Sequence, residues 1–449
     1  MYGFVSQYAM LNLFPLLFYF GVAMIVFDVM ENQAAWLAFY RHKTRNKEDA
    51  NARYDDLLGF IESKKYLVYV DALKRGDGIS APQKLLINKS GSGKKRTVYC
   101  YTEEENYILG MIAFLLKQYD DIFAPNLYSF RVQKTAKTAF QKFRKLLQNK
   151  NKYVYRTDIS AYFNTISPEK LCLQLKQVLA EDQSLLCFLE GLLLDQTTIW
   201  NDTPIVENKG AIPGAAVSSF FANLYLNELD HIFYRSGVDY IRYSDDILVI
   251  ADTEQELENH ICQLKAFLSE KELHINPEKE KIYPPGAVVE FLGFSYCDGK
   301  VDVSAVSVQK IKAKIRRKTR ALKRWADAKG VPSEYAAKAL VKRFNQKFYC
   351  NNVFNELTWA RWYFPIINTS ESLEIIDRYE VECIRYLLSG THTKKKYAYS
   401  YESVKQLGFR SLVNEYYKFK TFNDEKVISL PPVADESYKT EIHRDMDKT

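Results

Sequence analysis

Two adjacent carboxylates, Asp245 and Asp246, restrict the fold of this chain more than any other feature. They lie in a short polar turn between two apolar segments, DYIRY (239–243) and ILVIAD (247–252). Both segments have the composition of β-strands, so the pattern predicts a hairpin with the two acids near its tip. Adjacent carboxylates repel each other, and a fold rarely places them among apolar strands without a cation. The alternative is a solvated Asp-Asp turn.

A third carboxylate, Asp158, ends another predicted strand, YVYRT (153–157). A carboxylate at a strand end and a pair at a hairpin tip can converge on two divalent ions. Two such ions serve phosphoryl transfer to a 3′ hydroxyl, and hard oxygen ligands favour Mg²⁺. Asp158, Asp245 and Asp246 are therefore candidate catalytic residues and candidate ligands for two Mg²⁺ ions.

Composition excludes several other classes of protein. The 449 residues are 47% hydrophobic and 26% charged, which is typical of a folded chain and not of a disordered, collagen-like or coiled-coil protein. The seven cysteines form no CxxC pair, so a zinc ribbon or a redox motif is not expected. The net charge of +7 and the 32 tyrosines favour a nucleic-acid partner, because cations bind phosphates and aromatic rings stack on bases.

The positive charge is concentrated in one region. Residues 300–347 contain 15 Lys or Arg and three Asp or Glu. Within it, KIKAKIRRKTRALKR (310–324) has Ile311, Ile315 and Leu322 at helical spacing, while most other positions are cationic. This pattern predicts a helix with one face in a core and a basic face on the nucleic-acid backbone. The alternative is a solvated helix face.

Several blocks of the chain, in order, resemble those of reverse transcriptases. Residues 94–96 and 128–131 resemble the fingers blocks, 156–164 the first palm motif, 211–230 the second palm motif, 243–246 the YxDD signature, 273–279 the downstream lysine motif, and 291–294 the primer-grip hairpin. The resemblance is close over residues 80–300. It implies an α+β fold of the right-hand polymerase type, with fingers, an RRM-like palm and a helical thumb, and with helical N- and C-terminal extensions.

The resemblance also implies boundaries. These are an apolar segment 1–30, a helical extension 31–79, fingers 80–157, palm 158–300, basic thumb and C-terminal helices 301–423, and a polar tail 424–449.

Roles for individual residues follow from the same resemblance. The carbonyl of Ile159 would assist the metal ligands, and the aromatic Phe163 would act as a gate against the ribose 2′-OH. The expected dNTP contacts are Arg96, Arg131, Phe163, Gly214 and Lys279. The expected nucleic-acid contacts are Tyr243, Ser218, Phe291, Gly293, Lys310, Lys314, Arg316, Arg317 and Arg320.

Structural alternatives stay open for some of these positions. Arg96 and Arg131 could form surface salt bridges, Phe163 could be a core residue, and Lys279 could be a solvated lysine. The second palm motif also departs from the family pattern, since Pro213 directly precedes Gly214 and the contact often made by Gln is missing.

The implied function is that of an RNA-directed DNA polymerase that binds an RNA template, nascent DNA and dNTPs. The spacing of residues 94–105, 126–131 and 394–417 resembles that of bacterial antiviral reverse transcriptases of the unknown-group and abortive-infection types, which implies phage defence and a co-encoded structured RNA as template. The alternatives are a retron- or group II intron-type enzyme, a template-independent or protein-primed DNA polymerase, and a non-catalytic RNA-binding scaffold. A partner protein or a homo-oligomer is a further expectation.

The N-terminus carries a separate question. No charged side chain precedes Asp28, and residues 9–27 are almost wholly apolar over about the length of a membrane span. Three interpretations compete: an anchor in a membrane or partner, a helix buried in the protein, and a start site assigned too early, with Met24 or Met30 as the true start. The expected location is the bacterial cytoplasm, with membrane association as the alternative.

Overall fold

A computed structural model describes residues 25–44, 50–88, 95–148, 151–349 and 358–425. The strands are β1 Gln83–Asn88, β2 Lys95–Cys100, β3 Tyr153–Asp158, β4 Thr197–Trp200, β5 Thr203–Val206, β6 Asp239–Tyr243, β7 Asp246–Ala251, β8 Lys281–Tyr283, β9 Val289–Phe291, β10 Phe294–Cys297 and β11 Lys300–Val303. They form three sheets with the orders β2-β1-β4-β5, β6-β7-β3-β8 and β11-β10-β9.

Helices make up most of the remaining chain. The α-helices are Val26–Met30, Gln33–Thr44, Ala50–Glu62, Tyr66–Lys74, Glu103–Leu115, Ala136–Leu146, Tyr162–Thr165, Pro168–Val178, Gln183–Leu194, Ser218–Tyr225, Asn227–Arg235, Glu254–Glu270, Ala305–Lys329, Ser333–Tyr349, Trp359–Tyr363, Glu371–Ser389, Tyr401–Gln406 and Leu412–Glu425, with 3₁₀ turns at Leu116–Ile122 and Lys394–Ala398. The mixture of helices and sheets agrees with the α+β prediction.

The sheet β6-β7-β3-β8, called here the palm sheet, separates two hydrophobic cores. Successive side chains of a strand point to opposite faces. Along β7, Ile247 and Val249 pack into the first core, whereas Leu248 and Ile250 pack into the second. Because both faces are covered, β7 is a nearly continuous apolar run. The two acids predicted at its start are therefore the exception in this strand.

The first core joins the palm sheet to the N-terminal helices. Val26, Phe27 and Met30 are fully buried, and the Phe27 ring lies 6.0 Å from that of Phe188. Most of the apolar segment 9–27 lies outside the described residues, and its last residues are buried in the protein. Within the described ranges, no helix is long and apolar enough to cross a membrane.

The fingers sheet β2-β1-β4-β5 revises the predicted boundaries. Strand β1 pairs in parallel with β4, so residues 197–206, which were assigned to the palm, belong to the same sheet as the hairpin β1–β2. Conversely, β3 was assigned to the fingers but pairs with β7 and β8 in the palm sheet. Sequence order does not reveal such pairing, because the partners are about 90 residues apart or more.

Two stretches that the sequence predicts as one helix each, 168–194 and 217–234, are each divided in the structure. The stretch predicted from 168 to 194 breaks before Asp182, whose carboxylate accepts hydrogen bonds from the Leu185 and Val26 amides at 3.0 and 2.7 Å. This residue caps the second helix and fixes the N-terminal segment at once. The stretch predicted from 217 to 234 breaks at Leu226, which has a non-helical backbone.

The second core lies between the palm sheet and the C-terminal helices. It includes Phe140 and Phe143 from the helix Ala136–Leu146, the sheet β9–β11, and Ile315 and Ile384 from two long helices. The first of these long helices, Ala305–Lys329, is called the basic helix. Ser304 caps it and Gly330 ends it in the left-handed conformation, with φ of 63°. Most of the predicted polar tail 424–449 lies outside the described residues.

Candidate active site

The three predicted acids come together at one end of the palm sheet. Asp158 lies directly opposite Asp246 in the antiparallel pairing of β3 with β7. Tyr243 also pairs with Asp246, so Ser244 and Asp245 form a two-residue hairpin turn. Ser244 has a φ of 58°, and the Ile159 amide donates to the Asp245 carbonyl at 3.1 Å. We call residues 243–246 the carboxylate turn.

These acids repel one another. Burial, followed by the charges of Asp158 and Asp246, raises the pKa of Asp245 above its ordinary value. Burial also raises the pKa of Asp246, although the Arg156 guanidinium opposes this shift. A divalent cation would relieve the repulsion, and the donors are the hard oxygens that Mg²⁺ prefers. The residues therefore fit the ion by charge and donor type.

The side chains are nevertheless engaged with protein cations. Arg156 donates Nε and Nη2 to the two oxygens of Asp246, each at 2.9 Å. The Lys279 ammonium, half exposed, lies 2.6 Å from Asp158 Oδ2. No set of three or more His, Cys, Asp or Glu side chains in the described ranges is arranged to hold a metal. Among the three acids, Asp246 and Asp158 have an ion pair with a basic side chain of the described residues.

A fully buried charge pair supports the turn from below. Arg242 donates Nε to Asp230 Oδ1 at 2.8 Å and Nη2 to Oδ2 at 2.5 Å, and both residues have 0% exposure. The Tyr240 hydroxyl donates to the same carboxylate at 3.0 Å. Burial opposes the charge of Arg242, yet Asp230 raises the pKa of Arg242 above its ordinary value. The pair anchors β6, the strand that leads into the turn.

A second set of bonds holds the turn itself. The Ser244 amide donates to Ser129 Oγ at 2.8 Å, and Ser129 Oγ donates to Asn223 Oδ1 at 3.1 Å. Asn223 Nδ2 returns a bond to the Ser129 carbonyl at 2.8 Å. Ser129 and Asn223 were in the recognised blocks but had no predicted role. A usable signal was Arg242, a charge in the interior of an otherwise apolar run, since such a residue needs a buried partner.

Phe163 is partly exposed and lies beside Phe130, the residue that follows Ser129. Its ring meets that of Phe130 edge to face, with centroids 6.4 Å apart. The Ala211 amide donates to the Phe163 carbonyl at 2.7 Å. Gly210, with φ of 58°, permits this contact, because a Cβ atom there would lie 2.3 Å from that carbonyl oxygen. The sequence did not single out Gly210.

Residues 87–296 match the sequence model of the family described as "Reverse transcriptase (RNA-dependent DNA polymerase)". The match contains the carboxylate turn, its supports and Asp158. This chain contains a reverse transcriptase domain. No curated protein sequence matches the chain.

Solved polymerase structures are also similar to this chain. A truncated apo telomerase from Candida tropicalis has a TM-score of 0.41 and 14% identity, covering 50% of this chain and 55% of that one. Telomerase from Candida albicans with a fragment of telomeric RNA has a TM-score of 0.41 and 10% identity, covering 81% and 71%. An RNA polymerase complex inside a dsRNA virus has a TM-score of 0.39 and 13% identity, covering 49% and 22%.

Two predicted nucleotide contacts of the reverse transcriptase domain differ in their surroundings. Arg96 is exposed on β2. Arg131 is buried: its Nε donates to Asp120 at 2.7 Å, and its Nη1 donates to the carbonyls of Phe123 and Ala124 at 3.2 and 3.0 Å. Arg131 thus uses Nε and Nη1 within the protein, including an ion pair with Asp120, and its contact with a dNTP stays a prediction.

Other predicted contacts within the domain are also packing residues. Ser218 is buried and donates its hydroxyl to the Ile212 carbonyl. Tyr243 and Phe291 are buried in the second core. A Cβ at Gly293 would lie 3.0 Å from the Tyr363 hydroxyl, so this glycine permits packing in the β9–β10 turn. These four residues are engaged in packing, and their contact with nucleic acid stays a prediction.

Gly214 has a different neighbour from the one expected. It has a φ of 110°, and a Cβ there would lie 2.6 Å from the Tyr99 carbonyl oxygen. The Tyr99 amide in turn donates to the Pro213 carbonyl at 2.8 Å. Gly214 therefore allows the second palm motif to lie against β2 of the fingers sheet.

The basic helix follows the reverse transcriptase domain and has the predicted two faces. Ile311 and Ile315 are buried in the second core. Lys310, Arg316, Arg317 and Arg320 are exposed, and Lys314 is partly buried. Across the described part of the chain, Arg316, Arg317 and Arg320 have no carboxylate within ion-pair distance. Their guanidinium groups are available to an external anion.

Proposed function

We propose that this protein is an RNA-directed DNA polymerase that adds deoxynucleotides to a 3′ hydroxyl. The observation that carries the proposal is the convergence of Asp158 with the carboxylate turn inside a reverse transcriptase domain. Three acids at adjoining strand ends, held by buried pairs, suit phosphoryl transfer. A protein that only binds RNA has no need for acids that repel both one another and phosphates.

The three acids act together in this mechanism. Asp158 and Asp245 would hold Mg²⁺, with the Ile159 carbonyl beside them, and Asp246 completes the acidic site. The ions supply activation of the 3′ hydroxyl and stabilisation of the pyrophosphate leaving group. Lys279, already 2.6 Å from Asp158, is exposed enough to swing toward the substrate phosphates. Its ammonium is then a general acid for the leaving pyrophosphate.

The decisive test is a primer extension assay with purified protein, an RNA template and dNTPs. The double variant Asp245→Ala/Asp246→Ala should lose activity by about a thousandfold or more, because the two acids act as a unit. Its thermal unfolding should stay close to that of the wild type. Asp252→Ala, at an exposed acid just after β7, is the matched control and should keep full activity. Retained extension by the double variant contradicts the proposal.

The same assay separates the alternatives. A non-catalytic scaffold binds RNA but extends no primer, even as the wild type. Template-independent synthesis continues when the RNA is omitted, and a protein-primed reaction leaves DNA covalently attached to the chain.

We also propose that Phe163 excludes ribonucleotides. Its ring is partly exposed and held by the Phe130 contact, where it can meet a 2′-OH. Phe163→Ala should improve the use of ribonucleotides relative to deoxynucleotides by about tenfold or more. Phe163→Tyr keeps the ring and should keep the selectivity. An unchanged preference in Phe163→Ala would remove this role.

The proposed template is a structured RNA, and the proposed setting is bacterial defence against phage. Both rest on the sequence resemblance of residues 94–105, 126–131 and 394–417. Sequencing the RNA that copurifies with the protein, together with the DNA it makes, tests the template. Phage plating on cells that carry the wild type or the Asp245→Ala/Asp246→Ala variant tests the setting.

A further inference from the structure

We propose that Arg156 and Glu290 connect the carboxylate turn to the first turn of the basic helix. In this connection Arg156 is a positioning residue, and binding of a duplex to the basic helix orders the turn. The inference rests on the proposed function, because it concerns how that site is assembled.

The first contact is a bidentate hydrogen bond from Arg156 to Asp246 in the carboxylate turn. Arg156 lies on β3 two residues before Asp158, so both side chains are on the same face of the palm sheet. Its Nε and Nη2 bind the two oxygens of Asp246. Such a planar fork fixes the rotation of a carboxylate as well as its charge.

The second contact extends from Arg156 to another sheet. Its remaining terminal nitrogen, Nη1, donates to the Glu290 carbonyl on β9 at 2.8 Å. Arg156 thus spans the palm sheet and the sheet β9–β11 with a single side chain. All three of its donor nitrogens are used, so the guanidinium cannot rotate without breaking a bond.

The third contact reaches the basic helix. The Glu290 carboxylate accepts a hydrogen bond from the amide of Ala305, the first residue of this helix, at 2.8 Å. Next to this contact, the amide of Ser304, which precedes the helix, donates to the Gly293 carbonyl in the β9–β10 turn at 2.9 Å. An acid at a helix N-terminus binds both the free amides and the positive end of the dipole. Glu290 therefore moves with the start of the helix.

These contacts form one continuous path from the exposed arginines of the basic helix to Asp246. An anionic duplex that binds the helix biases the position of its first turn, and Glu290 passes that bias to Arg156. A simpler role for Arg156 is charge neutralisation alone. Lysine distinguishes the two roles, because it keeps the charge but cannot bind both Asp246 oxygens and the Glu290 carbonyl in fixed geometry.

Hydrogen exchange measured by mass spectrometry tests the path without relying on activity. A primer–template duplex is added to the full chain in the absence of dNTPs. In the wild type, protection is expected in the basic helix and in the carboxylate turn. In Arg156→Lys and in Glu290→Ala, protection of the helix should persist, whereas the added protection of the turn should fall by at least about half. Glu290→Gln, which keeps an oxygen acceptor, should behave as the wild type.

The kinetic expectation is a change in turnover and not in binding. Arg156→Lys should lower kcat by about tenfold or more, while the KM for dNTP and the duplex Kd stay within about twofold. Adding Glu290→Ala to Arg156→Lys should cause little further loss, since both changes break one path. Lys281→Met, which removes an exposed cation from the neighbouring strand β8, is the control and should change neither measurement.

The outcomes separate the two proposals. If the duplex protects the basic helix and protects the carboxylate turn equally in the wild type and in all variants, the connection is overturned. The polymerase proposal is unaffected by that result. Additive losses in the double variant also overturn the connection. If the duplex protects no part of the basic helix in the wild type, both the connection and this helix's proposed role fail.

Discussion

The support of the carboxylate turn and the face of the basic helix use charge in opposite ways. Beneath the turn, Asp230 and Arg242 are fully buried and bind each other. On the helix, Arg316, Arg317 and Arg320 are exposed and have no carboxylate partner in the part of the chain that the structure describes. Paired charges fix one geometry, whereas exposed ones stay available to any anion. The comparison separates residues that build the site from residues that meet the substrate.

The largest expected effect comes from breaking the buried pair. Asp230→Ala leaves the Arg242 guanidinium buried without its partner, so the free energy of unfolding should fall by about 3–5 kcal/mol. Chemical denaturation measures this. Asp239→Ala, at the partly exposed start of β6, is the control and should lower stability by at most about 1 kcal/mol. Equal losses in the two variants would show that burial does not distinguish these acids.

Removing arginines from the basic helix should weaken binding of the duplex and leave the stability of the protein unchanged. The triple variant Arg316→Ala/Arg317→Ala/Arg320→Ala should weaken duplex binding and reduce the slope of log K against log salt by about 0.9 per lost phosphate contact. Fluorescence anisotropy at several salt concentrations gives this slope. A variant with the same change in net charge, Lys64→Ala/Lys65→Ala/Arg75→Ala in the turns beside the N-terminal helices, should keep the wild-type slope. An equal reduction of the slope in this control would mean that the salt dependence reflects the net charge of the chain and not the position of the arginines.

The smallest expected effect concerns Glu380, a buried acid in the C-terminal helix Glu371–Ser389. Glu380 has 1% exposure, and burial, followed by the Asp377 charge, raises the pKa of Glu380 well above its ordinary value. A raised carboxyl pKa means that the folded state binds the proton more tightly than the unfolded chain. Stability from this group is therefore present at low pH and is lost as the pH rises from the ordinary Glu value through the raised one.

Glu380→Gln removes that loss while keeping the size of the side chain. Above the raised pKa the variant should be more stable than the wild type by on the order of 1 kcal/mol, and near pH 4 the two should converge. Thermal unfolding across pH 4–9 measures the difference. Glu402→Gln, at an exposed acid in the same region, should give parallel curves. A constant offset at every pH would point to packing instead of ionisation.

Local pattern predicted the elements that form the site better than their partners. The apolar runs around Asp245 predicted β6 and β7, and the spacing of Ile311 and Ile315 predicted the buried face of the basic helix. The parallel pairing of β1 with β4 and the bond from Arg156 to Glu290 were not predictable, because they join residues about 115 and 134 positions apart. Such contacts depend on tertiary packing, which no periodicity records.

Several residues with family-based roles are buried and bind other parts of the protein. Motif position suggested that Arg131 and Ser218 face the substrate, but it does not report which way a side chain points. In the fold, Arg131 satisfies carbonyls around Phe123, and Ser218 bonds to Ile212. A motif residue can thus be required for the shape of a site without touching what the site binds.

The placement of two cores on opposite faces of the palm sheet has a consequence for how such proteins diversify. Side chains of β7 alternate between the cores, so helices on one face can be exchanged while the contacts of the other face stay intact. The sheet acts as a partition between an N-terminal and a C-terminal compartment that can vary separately. New partners or templates could be acquired on either side, while the strand ends that carry Asp158 and Asp245 keep their positions.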